Sequence, residues 1–169
     1  MCPLLVADSI SKSYVAGFGR CWARVHVLSR LSLILADGER LVIRGGRGSG
    51  KTTLLHCLTG LRRPDAGSVR WSARQGAPYR ICIAPRDLEG VGRGSSALIE
   101  LPERSPDAGE WIERLHGRRS DAGGWLAFAS RAGPIDEIAH RVLELRDGRL
   151  RPVVASKPRQ VAESARAVG

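Results

Sequence analysis

The sequence contains few cysteines, and they are not spaced as metal ligands or as a disulfide framework. Its four cysteines and four histidines are scattered over 169 residues, without a C-x-x-C pair. Structural zinc sites and small disulfide-rich domains need such ligands at short, regular spacing, so the pattern argues against both. We expect Cys57 and Cys82 to be small core residues, because both lie in apolar segments.

Long hydrophobic runs are also missing. No segment approaches the roughly 20 apolar residues that a membrane-spanning helix needs, and the N-terminus lacks a basic region followed by a long apolar stretch. We therefore expect no membrane span, no secretory signal and a cytoplasmic location. The length suits one domain, which we place at residues 1–151, followed by a mobile tail over residues 152–169 that is polar and interrupted by proline.

Acidic residues are outnumbered, since 17 Asp and Glu stand against 27 Lys and Arg, a formal net charge of +10. A positive field can serve nucleic acid, acidic lipid headgroups or an acidic protein. No block of basic residues stands out, and the densest positions are Arg62-Arg63 and Arg118-Arg119. We expect the charge to be spread over the surface, with contact to membrane headgroups or to a membrane partner as the alternative. Nucleic acid is not an expected partner, because only the charge supports it.

A glycine-rich segment at residues 45–53 matches the phosphate-loop pattern G-x-x-x-x-G-K-[ST] in full. Glycines lack a Cβ, so the backbone N–H groups of such a loop can converge on an anion. Lys51 would then place a positive charge on the β- and γ-phosphates, and Thr52 would offer a hydroxyl to Mg²⁺. The predicted nucleotide-binding residues of this segment are Gly45, Gly46, Arg47, Gly48, Ser49, Gly50, Lys51, Thr52 and Thr53. The alternative is a glycine-rich turn that matches the pattern by chance.

The flanks of this segment favour a phosphate loop. Residues 41–43 are apolar and rich in β-branched side chains, which predicts a buried strand. Residues 52–61 carry leucines at helical spacing, which predicts a helix with one apolar face. Those leucines are Leu54, Leu55, Leu58 and Leu61. Strand, glycine loop and helix in this order are the context that the motif requires.

Before the loop, the pattern predicts a strand over residues 4–8, an irregular loop over 15–26 and a strand over 31–35. Asp37-Gly38 is a turn signal. We therefore expect residues 31–35 and 40–43 to form an antiparallel hairpin that leads into the phosphate loop.

After the loop, short apolar segments predict further strands and two helices. The predicted strands cover residues 69–71, 80–84, 97–101 and 125–129, the predicted helices cover 108–117 and 134–139, and a final hairpin pairs 142–145 with 149–150. Residues 86–96 are too rich in glycine for regular structure.

These motifs resemble the nucleotide-binding subunit of ABC transporters, and most closely its lipoprotein-export and macrolide-export branch. The similar segments are residues 11–14, 27–28, 31–33, 37–40, 45–53, 61–69 and 141–150, so the similarity covers nearly the whole length. It implies an α/β fold of the phosphate-loop ABC ATPase type, with a mixed central sheet, an antiparallel N-terminal part and flanking helices. It also implies ATP and Mg²⁺ as ligands, and a second ATPase subunit or a membrane permease as partner.

The resemblance gives Tyr14 and Glu100 candidate roles. In the family, an aromatic residue at the Tyr14 position stacks on adenine, and the alternative here is an ordinary aromatic at a strand end. The best match to the family's Asp-Glu-Pro strand end is Leu98–Pro102, which places Glu100 at the Mg²⁺ position. The alternative for Glu100 is a solvent-facing strand carboxylate.

Three positions of the hydrolytic machinery depart from the family pattern. Leu101 stands at the catalytic carboxylate, Arg86 at the glutamine and Arg131 at the switch histidine. Leucine cannot orient water, and arginine stays charged near neutral pH. Only residues 86–97 remain where the family has a helical subdomain with the Leu-Ser-Gly-Gly-Gln signature. We therefore expect this subdomain to be deleted, because so short a segment cannot hold several helices.

Two hypotheses about function follow from these residues. The first is an ATP-binding subunit of an ABC-transporter-like assembly, with an intact phosphate loop and impaired or absent hydrolysis of its own, held at the inner face of the membrane through a partner. The second is a non-hydrolysing, ATP-dependent scaffold or regulatory subunit of a membrane-associated complex. In that case ATP would stabilise the fold by mass action.

Overall fold

A computed structural model describes residues 3–18, 21–72, 79–82, 87–88, 96–101, 108–117 and 124–153, and the statements below refer to these residues. The strands are β1 (Pro3–Phe18), β2 (Cys21–Ala36), β3 (Arg40–Arg44), β4 (Ala66–Trp71), β5 (Tyr79–Cys82), β6 (Ser96–Glu100), β7 (Trp125–Ala129), β8 (Arg141–Arg146) and β9 (Arg149–Pro152). The helices are α1 (Lys51–Leu58), α2 (Ala108–Gly117) and a 3₁₀ helix over Pro134–Ile138.

The strand that precedes the glycine loop lies inside a six-stranded sheet ordered β5-β6-β7-β3-β8-β9. The first five of these strands are parallel, and β9 pairs antiparallel with β8. Leu41, Val42 and Ile43 of β3 are fully buried. A strand covered on both faces is apolar throughout, which is why residues 41–43 lack alternation. The carboxyl ends of the parallel strands meet at one edge of this sheet, the edge at which open α/β sheets bind ligands.

The first two strands form a long hairpin in a second sheet, ordered β2-β1-β4. Their antiparallel ladder continues as far as the Phe18↔Cys21 pair. The predicted irregular loop over residues 15–26 is therefore wrong. Its glycines suggested a break, but a Cβ on Gly17 would collide with the backbone of Cys21, so the missing side chain permits close strand pairing.

The turn at Asp37-Gly38 connects the two sheets. The turn is present, and Gly38 adopts a left-handed φ of 73°, but the predicted hairpin of residues 31–35 and 40–43 is wrong because β2 and β3 belong to different sheets. A turn signal reverses the chain without fixing the strand with which it pairs. Glu39 stabilises this connection between the sheets. Its carboxylate accepts a hydrogen bond from Ala36 N at 2.8 Å and forms an ion pair with Arg141 Nε at 3.1 Å.

Two apolar cores lie on opposite faces of the six-stranded sheet, because alternate residues of its strands enter different cores. The first core joins this sheet to α1 and to the three-stranded sheet, through buried residues that include Leu28, Leu31, Leu54 and Leu58. The second core packs α2 and the 3₁₀ helix on the other face, through buried residues that include Trp111, Leu115, Ile135 and Ile138. The glycine loop and α1 thus sit between two sheets.

Helix α1 is shorter than predicted. Its apolar face is confirmed at Leu54, Leu55 and Leu58, which are buried. Leu61 is 66% exposed, so its predicted place on that face is wrong. The helix stops before it, because Gly60 turns left-handed with a φ of 75°, and Trp71 Nε1 donates to Leu58 O at 2.8 Å.

The remaining described elements lie close to the prediction. β7 and α2 have the predicted bounds, and β4 and the β8–β9 hairpin are longer than predicted. A 3₁₀ helix ending at Ile138 replaces the predicted helix over 134–139. Cys57 is buried as predicted. No described helix is both long enough and apolar enough to span a membrane.

Several predictions fall on residues outside the described part of the chain. These are the Cys82 side chain, the end of the predicted strand over 80–84, most of residues 86–96, and the tail beyond residue 153. Pro152, the first residue of the predicted tail, is described and pairs with Leu143 at the end of β9.

Candidate phosphate-binding site

Residues 45–50 leave β3 at the carboxyl edge of the sheet and enter α1. Gly45 N donates to Ala129 O at 3.0 Å, which ties the start of the loop to the end of β7. A Cβ on Gly45 would collide with the Ser49 side chain and would lie 2.9 Å from Leu145 O. The first glycine of the motif is therefore required by packing against the loop itself and against β8.

The later glycines of the loop are required by backbone conformation. Gly48 and Gly50 have φ values of 78° and 99°, in the left-handed region that other residues avoid. A Cβ on Gly50 would also lie 2.8 Å from Val27 Cγ1. Gly46 differs from these glycines, since its φ is not positive and nothing lies within 4 Å of a Cβ built on it.

Lys51 is the first residue of α1, and its side chain turns back over the loop. Its Nζ donates to Gly45 O at 2.5 Å and to Gly46 O at 3.0 Å. The ammonium therefore lies over the loop backbone, half-buried, where a phosphate group could exchange with the carbonyl oxygens.

Thr52 and Glu100 are adjacent in space, although 48 positions separate them in sequence. Thr52 lies in the first turn of α1, and Glu100 is the last residue of β6. Thr52 Oγ1 donates a hydrogen bond to Glu100 Oε1 at 3.2 Å. A hydroxyl and a carboxylate are oxygen ligands of the kind that Mg²⁺ takes from proteins, beside phosphate and water. The two predicted metal-binding residues thus come together and fit this ion. Among the described residues, no group of three or more His, Cys, Asp or Glu could hold a metal by itself.

Leu101 follows Glu100 directly, one residue beyond the end of β6. Its N–H donates to Phe128 O at 3.0 Å, and its half-buried side chain packs against the second core, as does that of Ile112. No acid or base stands at this position.

Arg131 lies two residues beyond the end of β7, on the same edge as the loop. It is exposed, and its guanidinium forms no hydrogen bond or ion pair with the described residues. The segment after it is anchored to β3, because Arg44 binds Asp136 through two bonds, Nη2 to Oδ2 at 2.6 Å and Nε to Oδ1 at 3.0 Å. Arg86, the third departure from the family pattern, lies outside the described residues.

Tyr14 lies on β1, half-buried, beside two cations. Lys12 Nζ and Arg62 Cζ lie 5.9 and 5.6 Å from the centroid of its ring. Lys12 also forms a 2.7 Å salt bridge with Asp65, which in turn accepts hydrogen bonds from Ser13 N and Oγ. The hydrogen bonds from Lys12 and then from Ser13 hold the pKa of the Asp65 carboxyl well below its usual range. This cluster fixes the start of β4 to β1.

A cavity of about 500 Å³ borders the loop. It is lined by residues 25–27 of β2, residues 46–49 of the loop, residues 144–146 at the end of β8 and residues 147–148 of the turn that follows. Gly148, at a φ of 70°, accepts a hydrogen bond from Ser29 N at 2.9 Å and so joins this turn to β2. No sequence pattern indicates that residues 144–148 line this cavity or that Arg44 pairs with Asp136, because each depends on contacts between distant segments.

Known protein families and curated proteins share sequence with this chain. The model of the ABC transporter family matches residues 28–117, a range that contains the whole glycine loop, Thr52 and Glu100. The nickel import ATP-binding protein NikE of Rhodospirillum rubrum is 43% identical over 76 residues, which are 44% of this chain and 27% of that protein. The cytochrome c biogenesis ATP-binding export protein CcmA of Shigella flexneri is 56% identical over 99 residues, 53% of this chain and 46% of that protein. The chain therefore spans less than half the length of these curated relatives.

Solved structures share the fold at low sequence identity. A post-hydrolysis dimer of the ATP-binding cassette MJ0796 bound to ADP and Pi aligns with a TM-score of 0.64 at 15% identity, covering 86% of this chain and 96% of that one. The cbiO1 protein of Clostridium perfringens, part of the ABC transporter complex cbiONQ, aligns with a TM-score of 0.65 at 14% identity, covering 88% and 87%. The predicted α/β fold of the ABC ATPase type is thereby confirmed. With the family model matching more than half of the sequence, the chain belongs to the ABC transporter family and carries its ATP-binding domain.

Proposed function

We propose that this chain is the ATP-binding subunit of an ABC-transporter-like assembly and that it binds Mg-ATP without hydrolysing it alone. The observation that carries the proposal is the contact of Thr52 with Glu100 beside the glycine loop, with Leu101 in the next position. The groups that would hold the triphosphate and its metal ion are together, while the position next to them is apolar.

The binding half of the proposal rests on the loop. Residues 45–53 would surround the β- and γ-phosphates with backbone N–H groups, helped by the Lys51 ammonium and by the N-terminal end of α1. Thr52 and Glu100 would hold Mg²⁺, which neutralises phosphate charge when bound. Tyr14 would carry the adenine on its ring.

The hydrolytic half rests on Leu101 and Arg131. Attack on the γ-phosphate needs a group that orients water, whereas the half-buried Leu101 side chain is apolar and packs against the second core. An arginine at position 131 cannot act as the general acid or base that a histidine there could provide. The shortened connection over residues 86–97 supports the same conclusion, since it leaves no room for the family's helical signature subdomain.

The proposal extends to partners and location. A second ATPase subunit or a membrane permease would complete the assembly and hold this chain at the inner face of the membrane, with residues 1–151 as the nucleotide-binding domain. The lipoprotein- and macrolide-export branch is not part of the proposal, because the relatives reported above carry the names of nickel import and cytochrome c biogenesis proteins.

Calorimetry and phosphate release test the proposal together. We expect the purified chain to bind Mg-ATP and to release no phosphate above the buffer rate. Lys51→Ala should weaken ATP binding at least tenfold, because it removes the charge that lies over the loop, whereas Lys157→Ala, a lysine distant in sequence, should bind as the parent does. Absence of ATP binding would contradict the proposal that the chain binds Mg-ATP. Steady phosphate release by the chain alone would contradict the proposal that it does not hydrolyse ATP by itself.

The packing of Leu101 also favours a second candidate, a non-hydrolysing scaffold or regulatory subunit. In that case ATP should strengthen binding to a partner subunit, while mixtures of the two release no more phosphate than the partner alone. Phosphate release that needs both chains and is lost with Lys51→Ala would favour the transporter subunit instead.

A further inference from the structure

Two cations lie over the Tyr14 ring, and they are held differently. Lys12 is fixed by its 2.7 Å salt bridge to Asp65 and by a 2.9 Å hydrogen bond to Arg63 O. The guanidinium of Arg62, 5.6 Å from the ring centroid, makes no hydrogen bond or ion pair with the described residues, and Arg62 is exposed. Only the Arg62 cation can therefore leave the ring without breaking polar contacts.

We propose that Arg62 covers the face of Tyr14 that a nucleobase would use, so that ATP has to displace this guanidinium in order to stack. The inference rests on the proposed function. Stacked aromatic rings keep their centroids about 4.5–7 Å apart, and the guanidinium carbon lies inside that range. A base and the guanidinium cannot occupy this position together, so the cation–π contact of the ligand-free protein competes with the base.

Arg62 also acts on the phosphates, with the opposite sign. Its positive charge attracts a triphosphate at any position nearby, so its removal lowers the affinity for every polyphosphate while it uncovers the ring. Arg63 is a matched control, because it carries the same charge on the neighbouring exposed residue and makes no cation–π contact with Tyr14. The difference between Arg62→Ala and Arg63→Ala therefore isolates the effect of covering the ring.

The test uses calorimetry with two ligands, Mg-ATP and magnesium tripolyphosphate, which has the phosphates but no base. We expect Arg62→Ala to bind ATP about two- to fivefold more tightly than Arg63→Ala does, the range of an exposed cation–π contact. The two variants should bind tripolyphosphate equally. In a Tyr14→Ala background their difference for ATP should disappear, because no ring remains to be uncovered.

Each other outcome overturns the inference. Equal ATP affinities of the two variants would mean that Arg62 does not compete with the base. Weaker ATP binding by Arg62→Ala than by Arg63→Ala would mean that the guanidinium holds the nucleotide. A difference that persists with tripolyphosphate, or without Tyr14, would place the effect elsewhere. Failure of every variant and of the parent to bind ATP would overturn the proposed function as well, whereas the preceding outcomes leave it standing.

Discussion

At the scale of single residues, Gly50 and Gly46 play different parts in the loop. Gly50 has a φ of 99° and lies against Val27, whereas Gly46 has room for a Cβ. We expect Gly50→Ala to lower the free energy of unfolding by about 1–2 kcal/mol, the cost of a left-handed non-glycine residue, and to weaken ATP binding. Gly46→Ala should leave stability within about 0.5 kcal/mol of the parent. Urea unfolding of both variants checks this, and equal losses would contradict the backbone argument.

Asp65 makes stability depend on pH. Its pKa is held well below the usual range by hydrogen bonds from Lys12 and Ser13, so the ionised form is favoured in the folded state. The contribution is present above the pKa of an unfolded aspartate, about 3.9, and is lost as pH falls through the lower folded value. Asp65→Asn should therefore lower the midpoint of urea unfolding at pH 7. The difference in this midpoint between the variant and the parent should become smaller below about pH 4.

The size of that effect is limited by solvent, because the Asp65 side chain is 41% exposed. Glu137→Gln is the control, since it removes an exposed carboxylate away from this cluster. A difference between Asp65→Asn and the parent that stays constant from pH 7 down to pH 3 would contradict the role of ionisation.

Residues within the glycine motif could be predicted because their spacing in sequence is the signal. The pairs Lys12–Asp65 and Arg44–Asp136 could not, because 53 and 92 positions separate their members and no local pattern connects them. Thr52 and Glu100 form an intermediate case. Each was found separately, and only the parallel alignment of β6 with the strands beside it brings them into contact.

At the scale of elements, the end of α1 is capped by an aromatic side chain of the three-stranded sheet. Trp71 Nε1 donates to the last helical carbonyl, that of Leu58. We expect Trp71→Phe to lower the free energy of unfolding by about 0.5–1.5 kcal/mol, since it leaves a helix-end carbonyl without this donor. Trp22→Phe, at a position that is 67% exposed, should have little effect. Chemical denaturation followed by circular dichroism measures both, and equal small losses would contradict a capping role.

The elements also divide by how locally they are determined. β3 and β7 follow from continuous apolar runs, and the β8–β9 hairpin follows from Asp147-Gly148, so these were predicted. The pairing of β1 with β2 differs from the predicted pairing of residues 31–35 with 40–43, because its stability comes from a cross-strand ladder, while its glycines signal a loop. Glycine means close approach in one setting and a chain break in another, and the sequence alone does not distinguish them.

At the scale of the whole molecule, the glycine loop is connected to both sheets. Gly45 bonds to the end of β7, and Gly50 lies against Val27 of the three-stranded sheet. A ligand that fixes the loop should therefore stabilise the two sheets as one unit. The sequence could predict the loop and its strand, but not this junction, since the turn at Asp37-Gly38 gives no indication of a change of sheet.

This connection predicts how ATP changes thermal unfolding. At an Mg-ATP concentration of 100 times Kd, mass action adds about 2.7 kcal/mol to the free energy of unfolding. For a chain of this size that corresponds to a rise in Tm of roughly 5–11 °C. Differential scanning calorimetry should show one transition that moves as a whole. At the same ATP concentration Lys51→Ala, whose affinity falls at least tenfold, should gain no more than about 1.4 kcal/mol and therefore about half of the shift or less, while Lys157→Ala keeps the full shift. If instead two transitions appear and ATP moves only one of them, the three-stranded sheet unfolds independently of the loop, and the contacts of Gly50 with β2 do not couple the two sheets.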